Sequence, residues 1–250
     1  MRQDLALMID GLSVSFSGFK AVDSFSMTID AGELRVVLGP NGAGKTTMMD
    51  LVSGKTRSTG GRVFLFGEDI TNWPEFLIAR AGVGRKFQIP SVFRDLSVRE
   101  NIEVATAKEV GVWRNLRPGL SRREAARCAE ILELVGLDDM QARRAGDLSH
   151  GQMQWLELGM LIAQDARVLL LDEPTAGMTQ AETRKTSEIV NRLKGQHTIL
   201  VVEHDLSFVR AIAETVTVMH MGKFLAQGTM ADIEANAAVR EAYLGSGGVH

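Results

Sequence analysis

The sequence predicts an α/β fold in which a mainly parallel β-sheet carries a helical insertion. Short apolar runs bounded by Gly, Pro or acidic residues alternate with helical stretches, which is typical of buried parallel strands. These runs are LRVVLG (34–39), RVFLFG (62–67), RVLLLDEP (167–174) and TILVVEHD (198–205). Between them the pattern becomes mostly helical for a long stretch. The expected divisions are a core of residues 1–88 and 165–235, a helical subdomain of residues 89–164, and a helix end and loose tail over residues 236–250.

Two capping boxes support helices within the predicted insertion. Ser97 with Glu100, and Ser121 with Glu124, have the spacing at which side chain and backbone satisfy each other's free amide donors. The helix that follows Ser121 is expected to end near Gly136, because glycine readily adopts the left-handed conformation that closes a helix.

The composition restricts the classes of function. The 250 residues are 45% hydrophobic and 24% charged, which is ordinary for a chain with a packed core. The net charge of −3 argues against nucleic acid as a partner, since neutralising phosphates needs a basic face. The single cysteine, Cys128, can form no internal disulfide, and we expect no signal peptide because Asp4 and Asp10 interrupt the N-terminal segment. The apolar runs are shorter than the ~20 residues that cross a bilayer.

A glycine-rich loop carries the most specific motif. Residues 39–47, GPNGAGKTT, fit GxxxxGK[ST] between a predicted strand and a predicted helix. In such a loop the backbone amides form an anion nest, and the helix adds its positive N-terminal end. Lys45 is expected to reach the β- and γ-phosphates of a nucleotide, and Thr46 to offer its hydroxyl to Mg²⁺. The nucleotide-binding residues predicted from the loop are Asn41, Gly42, Ala43, Gly44, Lys45, Thr46 and Thr47.

Two adjacent carboxylates, Asp172 and Glu173, end a second apolar strand. Acidic residues at a strand end are common, so the pair alone leaves a structural role open. Beside a phosphate loop the pair indicates catalysis. Asp172 is then expected to hold Mg²⁺ through water, and Glu173 to orient and deprotonate the attacking water, a contribution of about 10²–10⁴-fold.

Two more polar residues are candidates for the same site. His204 follows another apolar strand, at the end where α/β proteins bind ligands, which favours contact with a γ-phosphate. A structural or solvent-facing histidine is the open alternative. Gln88 lies where the core meets the helical segment, and its amide is a candidate to sense Mg²⁺ or the attacking water.

A second helix start, in GDLSHGQMQWLELGMLIA, also has the features of an anion site. Ser149 is placed to cap that helix, and capping and phosphate binding use the same free amides. The presence of two candidate phosphate sites in one chain therefore needs an explanation.

Taken in order, these motifs resemble those of the ATP-binding subunits of ABC transporters. The resemblance covers nearly the whole chain and rests on the phosphate loop, Gln88, the signature Leu148–Gln152, the Asp172–Glu173 strand and His204. It implies a P-loop NTPase core with an N-terminal antiparallel β part and a helical subdomain. It also implies that an aromatic residue stacks on adenine, and Phe16, with Val22 beside it, occupies the matching place.

The resemblance explains the second phosphate site. In the family, two ATPase subunits pair head to tail, and each nucleotide lies between the phosphate loop of one subunit and the signature helix of the other. Ser149, Gly151 and Gln152 are then expected to bind a nucleotide held by the second subunit. Two residues depart from the family pattern. His150 stands where Gly is usual and is expected to point away from phosphate, and Thr179 stands where Asp is usual, which bears on contacts across the dimer.

Within the family, GRKFQIPSVF, EPTAGMTQAET, VVEHDLSFV and REAYLG are most similar to urea transporter ATP-binding subunits, which are close to branched-chain amino-acid importer ATPases. This implies ATP and Mg²⁺ as cofactors, and permease subunits and a second ABC ATPase subunit as partners. A periplasmic binding protein would act indirectly, and the chain would lie peripherally on the cytoplasmic face of the membrane. The permease contact is expected near residues 88–96, where Val92 and Phe93 are either contact or core residues.

Two alternatives to a urea importer remain at this point, the ATPase of a branched-chain amino-acid importer and an ABC ATPase outside transport. A small-molecule kinase or GTPase fails because the chain has no guanine-reading Asn-Lys-x-Asp run. Glu173 argues against a nucleotide-sensing module without turnover.

Overall fold

The computed structural model describes residues 5–86, 91–106 and 121–244. Their contacts divide them into two compact units. The first unit comprises the described residues up to Arg85, Arg167–Glu173, and those from Leu193 onward. The second comprises the described residues of Lys86–Ala166 together with Pro174–Arg192. The second unit thus includes a segment beyond the predicted insertion of residues 89–164.

The strands and helices have the following bounds. The strands are β1 (Leu5–Phe16), β2 (Phe19–Asp30), β3 (Leu34–Leu38), β4 (Gly60–Leu65), β5 (Glu68–Asp69), β6 (Val83–Lys86), β7 (Val168–Asp172), β8 (Thr198–Glu203), β9 (Thr215–His220) and β10 (Lys223–Gly228). The helices are α1 (Lys45–Val52), α2 (Glu75–Arg80), α3 (Val98–Thr106), α4 (Arg122–Val135), α5 (His150–Ala163), α6 (Gln180–Leu193), α7 (Leu206–Ile212), α8 (Met230–Ala235) and α9 (Ala237–Leu244).

An antiparallel sheet with the strand order β2-β1-β4-β5 lies in the first unit. The prediction that residues 62–67 form a buried parallel strand was wrong, because β4 runs antiparallel to β1 with Val63 opposite Ile9. Val63 and Leu65 are buried, whereas Arg62 is exposed. This alternation belongs to a sheet with one covered face, which is common in antiparallel sheets and rare in parallel ones.

The second sheet, called the central sheet, has six strands in the order β10-β9-β3-β8-β7-β6. β3 pairs in parallel with β8 and β9, and β7 pairs in parallel with β8. Every residue of β3, β7 and β8 is buried, which confirms the three other predicted strands. Because parallel strands end at one edge, the residues after β3, β7 and β8 lie together, and ligands bind at that edge in open α/β sheets.

The second unit is built around α5, which contacts both α3 and α4. Gly159 permits this packing, since a Cβ there would lie 3.0 Å from Ile102 and 3.3 Å from Ile131. Both predicted capping boxes are present, at Ser97 and Ser121. α4 ends at Val135, followed by Gly136 in the left-handed conformation, as predicted. Of the predicted helix end and tail over residues 236–250, residues 245–250 lie outside the described residues.

Within the described part of the chain, no helix combines the length and the apolar character that a membrane span requires.

Candidate functional site

The glycine-rich loop connects β3 to α1 and turns back on itself. Gly44 has a φ of 98°, and a Cβ at this position would lie 2.3 Å from the carbonyl oxygen of Ala21, so only glycine fits. Lys45 opens α1, and its Nζ donates to the carbonyl oxygens of Gly39 at 2.7 Å and Pro40 at 3.1 Å. The lysine is thereby folded back over the loop that it belongs to.

The Lys45 ammonium is buried, and this environment favours an anion beside it. Burial lowers the pKa of Lys45, while the carboxylates of Glu173, Asp172 and Glu203 act in the opposite direction. A buried cation gains stability from an opposite charge that also accepts its hydrogen bonds. The phosphates of a nucleotide provide such a charge.

A cavity of about 290 Å³ opens over this loop. All the residues predicted from the loop, Asn41 to Thr47, line it, together with Phe19, Ala21 and Glu173. The predicted adenine-stacking residue Phe16 is not among the lining residues, and neither is Val22, which is fully buried. Phe19 is the more exposed aromatic, at 69% against 49% for Phe16.

Phe19 is a site residue that the sequence analysis missed. It lies opposite Phe16 across the turn that joins β1 to β2, so both rings are on the same face of the hairpin. The turn residues Ser17 and Gly18 both have positive φ. A Ser-Gly turn between two β-like runs was the available signal, since it makes the flanking residues cross-strand neighbours.

Asp172, at the end of β7, is brought to the start of α1. Its Oδ1 accepts a hydrogen bond from Thr46 Oγ1 at 3.3 Å, and its side chain is almost fully buried. Burial raises the pKa of Asp172, and the nearby Arg85 guanidinium partly opposes this shift. The two oxygen ligands predicted for Mg²⁺ are therefore adjacent.

Arg85 is a second residue that the sequence analysis missed. Its Nη2 lies 3.3 Å from Asp172 Oδ2, and its Nη1 lies 2.6 Å from Asp50 Oδ1 and 2.7 Å from Ser53 Oγ. The guanidinium thus joins β6 to α1 and to the end of β7. No local pattern indicates these contacts, because the residues are far apart along the chain.

The donor set at Thr46 and Asp172 suits a magnesium ion. Mg²⁺ prefers hard oxygen ligands and is usually held by one or two protein oxygens, with water and phosphate completing its shell. Among the described residues there is no group of three or more His, Cys, Asp and Glu side chains that could hold a metal by itself. Gln88, whose amide is predicted to sense Mg²⁺ or the attacking water, lies outside the described residues.

Glu173 and His204 face each other at the same sheet edge. Glu173 Oε1 lies 3.3 Å from His204 Nδ1, and the Glu173 amide donates to the carbonyl oxygen of Val202 at 2.9 Å. Glu173 has a φ of 45°, an uncommon conformation for this residue type. The carboxylate also borders the cavity, so the structure brings it together with the loop and the histidine.

The signature residues lie in the second unit, at the start of α5. Ser149 caps α5. Its Oγ accepts a hydrogen bond from the backbone amide of Gln152 at 3.2 Å, and the side-chain Oε1 of Gln152 accepts one from the backbone amide of Ser149 at 2.9 Å. His150 Nε2 lies 3.2 Å from the carbonyl oxygen of Ala176 and 2.8 Å from Gln154 Nε2. The side chain of His150 therefore forms hydrogen-bond contacts with the segment that follows β7 and with its own helix, α5.

The other departure, Thr179, takes part in a capping box at the start of α6. Its amide and hydroxyl donate to Glu182 Oε2, both at 2.9 Å, and the Glu182 amide donates to Thr179 Oγ1 at 3.3 Å. A Thr-x-x-Glu spacing before a helical pattern was the signal for this contact.

Comparison with known families decides what kind of site this is. The ABC transporter family model matches residues 22–176, more than half of the chain. The chain belongs to the ATP-binding subunits of ABC transporters. A second model, for branched-chain amino acid ATP-binding cassette transporters, matches residues 225–249.

Relatives and solved structures agree with this assignment. The chain is 36% identical to the high-affinity branched-chain amino acid transport ATP-binding protein BraF of Pseudomonas aeruginosa, over 96% of this chain and 97% of the relative. It is also 36% identical to LivG of Escherichia coli K12, described in the same words, with the same two coverages. Among solved structures it is similar to the ADP conformation of MJ1267, an ATP-binding cassette of an ABC transporter, with a TM-score of 0.83 and 28% identity over 96% of this chain and 99% of that one.

Membership in this family fixes the general chemistry of the site. This ABC ATPase binds ATP and is homologous to the ATP-hydrolysing subunits of transporters. The predicted fold class, with its antiparallel part, central sheet and helical subdomain, is confirmed. The role of each side chain and the transported substrate belong to the proposal that follows.

Proposed function

We propose that this ABC ATPase drives an importer, in which ATP-dependent closure of two ATPase subunits moves a membrane permease. The observation that carries the proposal is the convergence of Lys45, Thr46, Asp172, Glu173 and His204 at one edge of the central sheet. This arrangement has a phosphate nest, an oxygen pair suited to Mg²⁺, and a carboxylate that borders the same cavity.

Each of these residues has a defined task in ATP hydrolysis. Lys45 and the loop amides would bind the phosphates, and Thr46 and Asp172 would hold Mg²⁺, which would neutralise charge on the phosphates. Glu173 orients the attacking water and accepts its proton, and His204 contacts the γ-phosphate from beside Glu173. Gln88 is proposed to report the state of the site to the helical unit.

Adenine is proposed to bind between the hairpin and the loop. Phe19 lines the cavity directly, and Phe16 lies opposite it on the same face of the hairpin. Stacking of a base on an aromatic ring contributes about 1–3 kcal/mol and tolerates any base, so it supplies affinity rather than strict specificity.

Closure is proposed to use the signature helix of each subunit. Ser149 and Gly151 at the start of α5 would bind the γ-phosphate of a nucleotide held by the second subunit, with Gln152 in the same motif. The helix N-terminus adds roughly 0.3–1 kcal/mol toward an anion. Hydrolysis removes the bridging phosphate and lets the subunits separate.

The permease is proposed to dock near residues 88–96, at the cytoplasmic face of the membrane. Within the described part of this segment, Phe93 is 51% exposed and Val92 is half-buried. The exposure of Phe93 favours the contact role over the core role. A periplasmic binding protein would deliver the cargo on the other side.

Branched-chain amino acids are the better supported cargo. The relatives BraF and LivG carry that description, and residues 225–249 match a model specific to branched-chain transporters. Urea is the second candidate, because of the similarity of the segments GRKFQIPSVF and EPTAGMTQAET described above.

The assembly that co-purifies with this chain from membranes, reconstituted with its binding protein, tests the proposal. ATPase activity stimulated by leucine and not by urea would support the first cargo, and stimulation by urea alone would support the second. Glu173→Gln in the same assembly is the control for background ATPase. Absence of any co-purifying permease would contradict the importer function.

A further inference from the structure

A carboxylate of the chain lies beside the start of the signature helix. Glu182 is in the first turn of α6, and its Oε1 accepts a hydrogen bond from Ser149 Oγ at 3.0 Å. The same oxygen packs against Gly151, where an added Cβ would lie 2.6 Å from it. Ser149 and Gly151 are the two residues proposed to bind the γ-phosphate. The negatively charged carboxylate of Glu182 therefore lies next to the proposed phosphate site.

The two oxygens of Glu182 have different partners. Oε2 accepts from the amide and the hydroxyl of Thr179 and so caps α6, whereas Oε1 contacts Ser149. The Thr179 amide is the main cause that lowers the pKa of Glu182, and the hydroxyls of Thr179 and Ser149 and the nearby His150 act in the same direction. The Glu182 carboxyl is thus an anion at neutral pH. One of its oxygens caps α6 and the other accepts a hydrogen bond from Ser149.

The hydroxyl of Ser149 can serve only one acceptor at a time. Its oxygen accepts a hydrogen bond from the backbone amide of Gln152 at 3.2 Å, and its single hydrogen is donated to Glu182. A serine hydroxyl has one hydrogen to donate. A bond from Ser149 to a phosphate oxygen needs that same hydrogen, so the phosphate and the carboxylate compete for it.

We propose that Glu182 is a positioning residue that holds the Ser149 hydroxyl while no nucleotide faces the signature helix, and that releases it to the γ-phosphate when two subunits close. The inference rests on the proposed head-to-tail dimer. Because release breaks a charge-assisted bond and brings two anions together, Glu182 raises the ATP concentration at which the dimer forms.

Glu182→Gln distinguishes the capping of α6 by this side chain from its hydrogen bond with Ser149. Glutamine also serves in capping boxes, so its one oxygen keeps the bond to the Thr179 amide. That oxygen cannot also accept from Ser149, and the uncharged amide group on that side is a hydrogen-bond donor. The variant therefore frees the Ser149 hydroxyl without removing the cap of α6.

The experiment measures ATP-driven dimer formation by analytical ultracentrifugation in the Glu173→Gln background, with the ATPase subunit that co-purifies or with a second copy of this chain. Glu182→Gln is expected to lower the ATP concentration for half-maximal dimer by about fivefold, since bonds to charged groups are among the stronger ones. Nucleotide affinity of the separate subunit is expected to stay unchanged.

Glu188→Gln is the matched control, because Glu188 is an exposed residue of the same helix and the charge change is identical. It is expected to leave the ATP requirement unchanged. In a Ser149→Ala chain, Glu182→Gln is expected to have no further effect, as in a double-mutant cycle between contacting groups. Thermal unfolding checks that all variants fold.

Each outcome has a definite meaning. A lower ATP requirement for Glu182→Gln alone, abolished by Ser149→Ala, supports the inference. An unchanged or higher requirement overturns it while leaving the proposed function intact, and so does a shift that persists with Ser149→Ala. Failure of the Glu173→Gln chain to dimerise with ATP at all would overturn the head-to-tail dimer and this inference with it.

Discussion

At the scale of single residues, the site is organised by charged groups that are buried with partners. Arg85 lies between Asp50 and Asp172, and the Lys45 ammonium donates hydrogen bonds to carbonyl oxygens of its own loop. Glu173 borders the cavity, as Lys45 does, and differs from these groups in its uncommon backbone conformation. Strain of this kind costs about 1–3 kcal/mol and persists where the surrounding structure enforces it, often in active sites.

Glu173→Gln tests the catalytic assignment at this scale. The variant keeps the phosphate loop and removes only the proton acceptor, so nucleotide affinity is expected to stay within about threefold while kcat falls by about 10²-fold or more. Equilibrium binding of a fluorescent ATP analogue and steady-state phosphate release measure the two quantities. A variant that hydrolyses ATP as fast as the parent would show that another group deprotonates the water.

The two hairpin aromatics allow a second residue-scale prediction. Phe19→Ala removes a ring that lines the cavity, and nucleotide affinity is expected to fall about fivefold, which corresponds to the lower end of base-stacking energies. Phe16→Ala is the matched comparison, since Phe16 is not a lining residue, and a smaller effect is expected. Isothermal titration with ADP measures both. A larger loss for Phe16→Ala would support the assignment of Phe16 made from the sequence.

At the scale of the elements, helix ends were predictable and sheet partners were not. The capping boxes and Gly136 are local signals, and each marks a helix end in the structure. Residues 62–67 are apolar enough to read as a buried strand, but their antiparallel partner β1 is about fifty residues upstream. Pairing between distant segments depends on packing that no short window contains.

The same distinction applies to the candidate site. The phosphate loop and the Asp172–Glu173 pair have local spacing rules, so their residues were found from the sequence. Arg85 acts through residues more than thirty positions away, and Glu182 acts on Ser149 across thirty-three positions. Only the folded chain places each of these two residues beside its own partners.

Gly136 provides a prediction at the element scale. Its φ of 66° is unfavourable for other residues, and an added Cβ would lie 2.4 Å from Lys185 Nζ, which donates to the Gly136 carbonyl oxygen at 2.9 Å. Gly136→Ala is expected to lower the free energy of unfolding by about 1–2 kcal/mol. Urea unfolding followed by circular dichroism measures it. Glu130→Ala, at an exposed position of α4, is the control and is expected to change stability by less than about 0.5 kcal/mol.

At the scale of the whole molecule, ligand binding and stability are linked through the phosphate loop. Lys45 is buried and burial lowers its pKa, and the Asp172 carboxyl is buried and burial raises its pKa. Both shifts mean that burial disfavours the charged forms of these two side chains. A nucleotide with Mg²⁺ supplies the opposite charges, so the bound chain should be the more stable one.

Thermal unfolding with and without nucleotide tests this linkage. At Mg·ATP about a hundred times the dissociation constant, the gain is about 2.7 kcal/mol, which for a chain of this length raises the Tm by roughly 5–10 °C. Glu173→Gln is used so that the ATP is not consumed. Adding Lys45→Ala is expected to abolish the rise, because the cation proposed to bind the phosphates is lost, whereas adding Lys55→Ala, at an exposed lysine, should preserve it. An equal rise in the Lys45→Ala chain would show that Lys45 does not contribute to nucleotide binding.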